Sequence, residues 1–360
     1  MTANQYEFPI IYIRHGTPED ATACQHMTRQ HPKSFPFVMK ASLTECANRK
    51  SLYIAEVDGL MVGFVSFRSR RDGWQTIYEL CVDESWHGKG VGRALLYAVP
   101  CPIRLKCPAD LNASNRFYVG AGMLLDSVDT RKKRALNIYT MRVLTIHCQG
   151  NNAKVPPWAR KAGMAYGTRH DNKPTDWPYM LDINWEKVVW AEYLAKVQAL
   201  RPVLTMAQDY EHPDQRERML AQVENLRSLG VMRIAVCPKF TGATADIPDD
   251  CIVAISVPSS YAGFVPELTE LLGRKIHLLG GNPQAQADLV TRLGGAVISS
   301  DYNVHERNAQ NGMIFDYGRW VNDAPIARKT AFYDEQVPFS GANIRRHLQG
   351  AATMKQAQLL

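Results

Sequence analysis

The stretch HGKGVGR at positions 87–93 connects an apolar strand pattern, TIYELCV, to a helical pattern, VGRALLYAV. Glycines at such a turn let backbone N–H groups approach an anion closely, and the start of the following helix adds its partial positive charge. A tight turn alone uses the same glycines. The loop by itself therefore leaves a phosphate site and a plain turn open, and the sequence around it decides between them.

Residues 8–145 combine antiparallel hairpins with few helices. The strand patterns SLYIAEVDG and MVGFVSFRS meet at Asp58-Gly59, a strong hairpin signal. A helix starting at Thr17-Pro18-Glu19-Asp20 and a second helix around Ser42–Asn48 come before this hairpin, and the strand patterns MLLDSVDT and NIYTMRVL close the region. The sequence therefore predicts an α/β domain with a mixed, mostly antiparallel sheet.

The glycine loop resembles the acyl-CoA pyrophosphate loop of the GNAT N-acetyltransferases, which has Gln or Arg first, Gly at the fourth place and Gly or Ala at the sixth. Gly90 and Gly92 fit this pattern, whereas His87 replaces the first residue. Downstream, NASNRFY at 112–118 is similar to the family's second cofactor-side motif. The resemblance spans about 8–145 and implies acetyl-CoA as cofactor, with Tyr118 as the acid that protonates the leaving thiolate. The implied cofactor-binding residues are Leu80, Val82, His87, Gly88, Lys89, Gly90, Val91, Gly92, Arg93, Asn112 and Asn115.

The chain changes rhythm after Leu144, where strand patterns alternate strictly with helical ones. Eight apolar strand candidates follow, and eight such units suit a (β/α)8 TIM-like barrel. A doubly wound open sheet is the alternative, because periodicity does not distinguish a closed sheet from an open one. We expect two domains, 1–145 and 146–360, with the tail ending in a helix that starts at Ser340. The strand candidates are 145–150, 164–169, 179–184, 203–209, 233–239, 252–258, 275–281 and 296–301.

Three of these strand candidates carry an aspartate at or near their carboxyl end: Asp182, Asp209 and Asp301. Any one of them has an ordinary reading as a cap of the next helix. A barrel, however, brings the carboxyl ends of all its strands to one mouth. We therefore expect the three carboxylates to converge at a single site.

The segment AVISSDYNVHERNAQNG is similar, in sequence and spacing, to the nucleophile region of the tRNA-guanine transglycosylases and of the phage DNA 7-deazaguanine transglycosylases. The resemblance spans about 145–315 and implies Asp301 as nucleophile, Asp182 as its acid/base partner and Asp209 as the reader of the base. The family's Gln-Gly-Gly region is replaced by Cys237-Pro238-Lys239, and its Cys/His zinc cluster is missing, so no metal is expected. The implied substrate-binding residues are Asp209, Lys239, Gly280, Gly281, Asn282 and Arg307.

The chemistry of these residues suits cleavage of an N-glycosidic bond. A carboxylate stabilises the cationic sugar or attacks it, and a second carboxyl group assists departure of the base. Aromatic side chains near the strand ends are candidates for stacking on a flipped base, although ordinary core packing explains them equally well. These aromatics are Trp177, Tyr179, Trp185 and Tyr210. In the first domain, Glu79 is the candidate base for an amine acceptor, with a structural carboxylate as the alternative.

Composition sets further limits. The formal net charge is +7, and basic residues cluster at 131–134 and around the domain junction at Lys154, Arg160, Lys161 and Arg169. Such clusters are either solvated surface or phosphate contacts of CoA or nucleic acid. The sequence has no CxxC pair, no apolar run of membrane length and no secretion signal, so we expect a cytoplasmic protein without a membrane partner.

The leading hypothesis is an enzyme that modifies or excises a nucleobase, with DNA favoured over tRNA as partner. Hydrolysis by water and exchange for a new base stay open. The GNAT half either acetylates an amine, including one on a modified base, or serves as a docking module. Two alternatives remain: a plain N-acetyltransferase whose barrel is a binding module, and a non-catalytic nucleic-acid binder.

Overall fold

A computed structural model describes residues 6–131, 134–149, 152–184, 186–258, 264–322 and 330–358. The chain divides into two compact units, Met1–Met141 and Arg142–Leu360. Each unit is described by itself.

The first unit is a seven-stranded sheet in the order β1-β2-β3-β4-β5-β7-β6. Its neighbouring strands are antiparallel except for the parallel pair β4–β5. The strands are β1 (Tyr12–His15), β2 (Leu52–Val57), β3 (Leu60–Ser69), β4 (Gln75–Val82), β5 (Ile103–Pro108), β6 (Leu124–Asp129) and β7 (Leu136–Met141). The helices are α1 (Asp20–Arg29), α2 (Lys40–Asn48), α3 (Val91–Ala98) and α4 (Asn112–Gly120).

Local sequence explains much of this sheet. Asp58 and Gly59 turn the β2–β3 hairpin with positive φ angles of 51° and 77°, as the Asp-Gly pair predicts. At the start of α1, the carboxylate of Asp20 accepts a hydrogen bond from the Thr17 backbone N–H at 2.8 Å, which ties the preceding turn to the first residue of the helix. The mixed, mostly antiparallel sheet is confirmed.

Strands β4 and β5 separate part-way along their length. Their parallel pairing runs from Gln75↔Ile103 to Ile77↔Leu105 and goes no further. Beyond that point the two strands diverge, although β4 continues to Val82 and β5 to Pro108. The gap between them holds the cavity described below.

The second unit is a closed, eight-stranded parallel barrel in the order β10-β11-β12-β13-β14-β15-β8-β9. Closure comes from pairing of the last strand with the first, from Ser299↔Leu144 to Tyr302↔His147. All eight strand candidates therefore form strands, and the open-sheet alternative is wrong. The strands are β8 (Leu144–Gln149), β9 (Ala165–Arg169), β10 (Met180–Asp182), β11 (Leu204–Met206), β12 (Arg233–Val236), β13 (Ile252–Ser256), β14 (Ile276–Leu279) and β15 (Val297–Tyr302).

The connections depart from strict alternation. Within the described residues, β12 and β13 are joined by a short 3-10 helix, Ala243–Asp246, and β9 and β10 by a loop. The helices are α5 (Val155–Ala162), α6 (Trp190–Leu200), α7 (Arg216–Ser228), α8 (Pro283–Leu293), α9 (Val304–Gln310) and α10 (Thr330–Gln358). The eight strands thus carry fewer helices than the (β/α)8 pattern predicts.

The tail differs from its prediction. After α9 the chain forms a hairpin of β16 (Met313–Asp316) and β17 (Arg319–Asn322). The last helix begins at Thr330 rather than at Ser340. Ser340 lies inside it, where its hydroxyl accepts a hydrogen bond from the Phe315 N–H at 3.0 Å, so this serine anchors the hairpin instead of capping a helix.

Candidate functional site

The mouth of the barrel holds a cavity of about 1030 Å³ lined by strand ends and the loops that follow them. All but one of the barrel residues predicted to be catalytic or substrate-binding line it. They are Asp182, Asp209, Lys239, Gly280, Gly281, Asp301 and Arg307. The exception is Asn282, whose side chain accepts a hydrogen bond from Gln284 N at 2.9 Å and caps α8. Its assignment to substrate binding is corrected to a helix cap.

Asp301 lies almost fully buried at the wall of this cavity, with 6% of its surface exposed. Its Oδ1 accepts a hydrogen bond from the Gly280 N–H at 3.2 Å and lies 3.4 Å from Nε2 of His277. His277 is held in turn by Ser299 Oγ, 2.8 Å from Nδ1. These contacts fix one oxygen of Asp301, so the carboxylate has a set direction.

Asp182 lines the same cavity from β10. Its Oδ1 accepts a hydrogen bond from the Ile183 N–H at 2.8 Å. Burial, and after it the negative charge of Asp301, raise the pKa of Asp182 to about 7. A carboxyl group whose pKa lies near neutrality is suited to acid/base chemistry at neutral pH.

Asp209 and Lys239 form an ion pair on the cavity wall, with Nζ 3.1 Å from Oδ2. Burial raises the pKa of Asp209, and Lys239 opposes that rise. Arg307 lies at the same cavity and is exposed. The cavity wall thus offers a polar ligand a negatively charged acceptor, Asp209, and two positively charged donors, Lys239 and Arg307.

Sequence reasoning missed three residues of this site: His277, Gln286 and Glu306. Gln286 is fully buried, and its Nε2 donates to the backbone carbonyls of Gly280 (2.6 Å) and Asp301 (3.0 Å). Glu306 lines the cavity, and burial raises its pKa to about 7. The sequence offered a signal for two of them: His277 opens the run HLLGGNP, which resembles the transglycosylases' loop at the base pocket, and Glu306 lies five residues after Asp301.

The loop at 280–281 gives a stability prediction. A Cβ on Gly281, whose φ is +83°, would lie 2.6 Å from Val257 Cγ1, whereas a Cβ on Gly280, at φ +56°, meets nothing within 4 Å. We expect Gly281→Ala to lower the unfolding free energy by about 3 kcal/mol and Gly280→Ala by about 1 kcal/mol. Urea unfolding of both variants checks this. Equal losses would show that backbone strain, not the clash with Val257, governs the loop.

The aromatic residues proposed for base stacking are used elsewhere. Trp177, Tyr179 and Tyr210 are buried. Their polar atoms bind protein groups: Trp177 Nε1 donates to Leu200 O at 3.0 Å, Tyr179 accepts from Arg233, and Tyr210 donates to Asp246. The stacking interpretation is therefore wrong for these three, and Trp185 lies outside the described residues.

The basic clusters are largely neutralised by neighbours. Lys154 pairs with Asp334, Arg160 with Asp176, and Arg169 with Asp171. In the first unit, Arg131 pairs with Asp129, and Arg134 pairs with Asp110. Lys132 and Lys133 lie outside the described residues. These pairs favour the solvated-surface interpretation over a dedicated phosphate track.

In the first unit, the glycine loop has the geometry that an anion cradle requires. Gly88 and Gly90 have φ angles of 77° and 89°, and Gly90 precedes the first turn of α3. The ring of His87 is held by its Nε2, 3.0 Å from Val82 O. Backbone N–H groups at the start of α3 therefore lie beside a loop that only glycine adopts at low cost.

A cavity of about 180 Å³ opens where β4 and β5 separate. Leu80, Val82 and His87 line it, as does Tyr118. Burial raises the pKa of the Tyr118 phenol, so this hydroxyl carries its proton at neutral pH. The acid and the loop predicted from sequence thus meet at one cavity.

Other predicted cofactor residues have structural roles. Val91 is buried in the core, and Gly92 lets Phe117 approach, since a Cβ there would lie 3.2 Å from its ring. Arg93 donates to Gly120 O at 2.8 Å, and the Lys89 ammonium lies 4.4 Å from the Trp86 ring centroid. Val91 and Gly92 therefore offer a ligand only their backbone N–H groups.

The predicted roles of Asn112, Asn115 and Glu79 in binding and catalysis are also corrected. Asn112 is the first residue of α4 and is not among the described residues that line the cavity. Asn115 donates to Pro108 O and Leu111 O and accepts from Asn137 and Tyr139, so its amide organises the end of β5. Glu79 accepts a hydrogen bond from Ser66 Oγ and is likewise absent from the described lining of the cavity.

Within the described residues, no group of three or more His, Cys, Asp or Glu side chains is placed to hold a metal ion. Over the same part of the chain, no helix has the length and apolarity that crossing a membrane requires. All eight cysteines are free and buried.

Comparisons with known proteins divide the chain in two. Residues 48–122 match the acetyltransferase (GNAT) domain model, which confirms the GNAT prediction. Similar solved structures include a GNAT acetyltransferase from Bacillus cereus ATCC 10987 (9% identity, 37% of this chain, 96% of that chain, TM-score 0.33). Another is Ard1 from Thermoplasma volcanium (20% identity, 36% of this chain, 96% of that chain, TM-score 0.32). A third, yncA from Salmonella typhimurium, was solved with acetyl-CoA (16% identity, 37% of this chain, 93% of that chain, TM-score 0.32).

The second unit matches a different model. A search of curated proteins finds no match, and the resemblance to transglycosylases stays a prediction. Residues 159–349 match a family of unknown function, DUF6610. Because that model covers more than half of the chain, the protein belongs to the DUF6610 family and carries a GNAT acetyltransferase domain in its N-terminal unit.

Proposed function

We propose that the barrel cleaves or exchanges the bond between a nucleobase and its sugar in a nucleic acid, DNA rather than tRNA. One observation carries this proposal. Asp182 and Asp301 line one open cavity at the strand ends, and burial raises the pKa of Asp182 to about 7 beside the charge of Asp301. A carboxylate and a carboxylic acid in one cavity are the two groups that glycosidic cleavage uses.

The roles follow from the contacts. Asp301, with one oxygen fixed by Gly280, stabilises the cationic sugar or attacks C1′ with the other. Asp182 donates its proton to the departing base. The Asp209–Lys239 pair presents an acceptor and a donor to the base edge, and the exposed Arg307 is positioned for a phosphate.

A base enters such a cavity only when it is flipped out of a duplex or already lies in a single strand. The sugar intermediate is resolved by water in a glycosylase and by a second base in a transglycosylase. Glu306 lines the same cavity, and burial raises its pKa. It is the candidate general base that deprotonates the attacking water or the incoming nucleobase.

Acetyl-CoA is the cofactor of the GNAT domain. The backbone N–H groups at 88–93 would hold its pyrophosphate, and the gap between β4 and β5 would take its acyl arm. The phenol of Tyr118 would protonate the leaving thiolate. The acceptor is an amine, either of a small molecule or on a modified base.

The second candidate is a plain N-acetyltransferase whose barrel only binds. The match at residues 48–122 supports this activity directly. Under it, acetyl transfer needs Tyr118 and is unaffected by Asp301→Ala. A third candidate, a non-catalytic nucleic-acid binder, predicts that no base is released from any nucleic acid.

One experiment separates these candidates. The full-length protein is incubated with modified and unmodified DNA and tRNA, and free bases are followed by mass spectrometry with Asp301→Ala as control. Release that depends on Asp301 supports the glycosidic function. An isotopically labelled base in the mixture then separates exchange, which incorporates the label, from hydrolysis, which does not.

Tyr118→Phe tests the acetyltransferase chemistry. We expect kcat for acetyl transfer to fall by about 100-fold, because the thiolate loses its proton donor, while KM for acetyl-CoA stays the same. Release of CoA thiol measures both constants. Tyr139→Phe, which removes the hydroxyl that donates to Asn115 at 2.9 Å, is the matched control. A full rate in Tyr118→Phe would assign this phenol to packing.

A further inference from the structure

The acetyltransferase site lacks an assigned base. An amine acceptor carries a proton at neutral pH and attacks only after losing it. The sequence-based candidate, Glu79, binds Ser66 and is absent from the described lining of the acyl cavity. The base therefore has to come from another residue that reaches the cavity.

His31 reaches it. This residue follows α1 in the segment that leads to α2, and together with Ser34 and Phe35 it lines the same cavity as Tyr118. Its backbone is fixed by hydrogen bonds: its own N–H donates to Thr28 O at 3.0 Å, and its carbonyl accepts from Ser34 N and Phe35 N at 3.0 and 2.9 Å. The ring thus occupies a defined place opposite β4.

The two ring nitrogens of His31 have different surroundings. Nδ1 lies 3.7 Å from Oε1 of Glu84, and the ring stacks on that of His87 with centroids 6.3 Å apart. Nε2 is buried and makes no hydrogen bond within the described residues. A carboxylate beside Nδ1 favours the proton on that nitrogen, which leaves the lone pair on Nε2.

The geometry points to His31 as the general base that takes the proton from a primary amine acceptor. This inference rests on the proposed acetyltransferase activity. Nε2 accepts a proton from the ammonium, and the freed amine forms the C–N bond with the acetyl carbonyl. As the C–S bond breaks, Tyr118 gives its proton to the thiolate and regains one from the new amide nitrogen. His31 releases its proton to solvent, so one proton leaves per acetyl transferred.

The kinetic test compares His31→Gln with His26→Gln, a change of an exposed histidine on α1. Full-length protein is assayed with acetyl-CoA and a panel of primary amines (spermidine, tryptamine and a peptide with a free N-terminus). We expect kcat/KM for the amine to fall by about 100-fold in His31→Gln alone, with KM for acetyl-CoA unchanged. With hydroxylamine, which is already unprotonated at neutral pH, the loss should be less than about tenfold.

A second measurement needs no acceptor. Ring signals of ¹³C-labelled histidine, with that of His31 assigned through His31→Gln, are followed on addition of acetyl-CoA or of 3′,5′-ADP, which lacks the acyl arm. We expect the His31 signal to shift with acetyl-CoA only. An unmoved signal, or equal losses with hydroxylamine and the amines, would overturn the assignment. Failure of every amine in wild-type protein would instead reject the acetyltransferase proposal.

Discussion

Asp301→Asn is expected to lower base release by about 10⁴-fold or more, the scale of loss seen when a nucleophile is removed. Asparagine has the same shape, and its Oδ1 keeps the acceptor for the Gly280 N–H, which lies 3.2 Å away in the native site. What disappears is the negative charge that faces the cavity. The loss should therefore appear in kcat, with binding of the nucleic acid little changed.

Two checks make this outcome decisive. Asp288→Asn, which removes an exposed carboxylate on α8, should leave base release at the wild-type rate. Thermal unfolding of Asp301→Asn should show an intact barrel. Base release that survives in Asp301→Asn rejects this residue as nucleophile and leaves the cavity to a binding role.

Asp182→Asn should produce the second-largest effect, about 10³-fold, and should also change the pH profile. The pKa of Asp182 is raised to about 7 by burial, with Asp301 adding to the shift. A general acid must be protonated, so its active fraction is full below pH 7 and falls about tenfold per pH unit above it. The wild-type rate should therefore fall as pH rises through 7, and Asp182→Asn should lack this limb.

Glu306 provides the control for this assignment. Burial raises its pKa to about 7 as well, so it titrates in the same range as Asp182. As a base it must lose its proton, so its contribution grows, rather than falls, as pH rises. Glu306→Gln should remove the acidic limb of the rate profile and keep the alkaline one. If Asp182→Asn retains the alkaline limb, the acid is another group.

The barrel was predictable because its strands are short apolar runs, most of them separated by helical patterns. A closed parallel barrel brings all of its strand ends to one mouth, and this rule alone placed Asp182, Asp209 and Asp301 together. In the first unit, Asp58-Gly59 predicted the hairpin, and the glycines at 88–92 predicted the turn into α3.

The remaining features depend on contacts between distant parts of the chain. Gln286 has the sequence context of an ordinary polar helix residue, yet its amide links the loop after β14, at Gly280, to strand β15, at Asp301. The side-chain amide of Asn115 is likewise occupied by protein groups: it donates to Pro108 O and Leu111 O and accepts from the Tyr139 hydroxyl. His31 has no local pattern at all, because the carboxylate beside its ring, that of Glu84, comes from a distant part of the chain. Side-chain hydrogen bonds over such separations leave no periodicity in sequence.

Closure of the barrel has a consequence for biosynthesis. Strand β8 pairs with β15, and this pairing ends at Tyr302↔His147. More than 150 residues are therefore translated after β8 before it gains its second neighbouring strand. Until then the nascent chain carries two unsatisfied edges, the kind of surface that recruits other strands. Premature termination before Tyr302 would release a polypeptide prone to aggregate, and slow translation of this half would lengthen the interval in which a chaperone is needed.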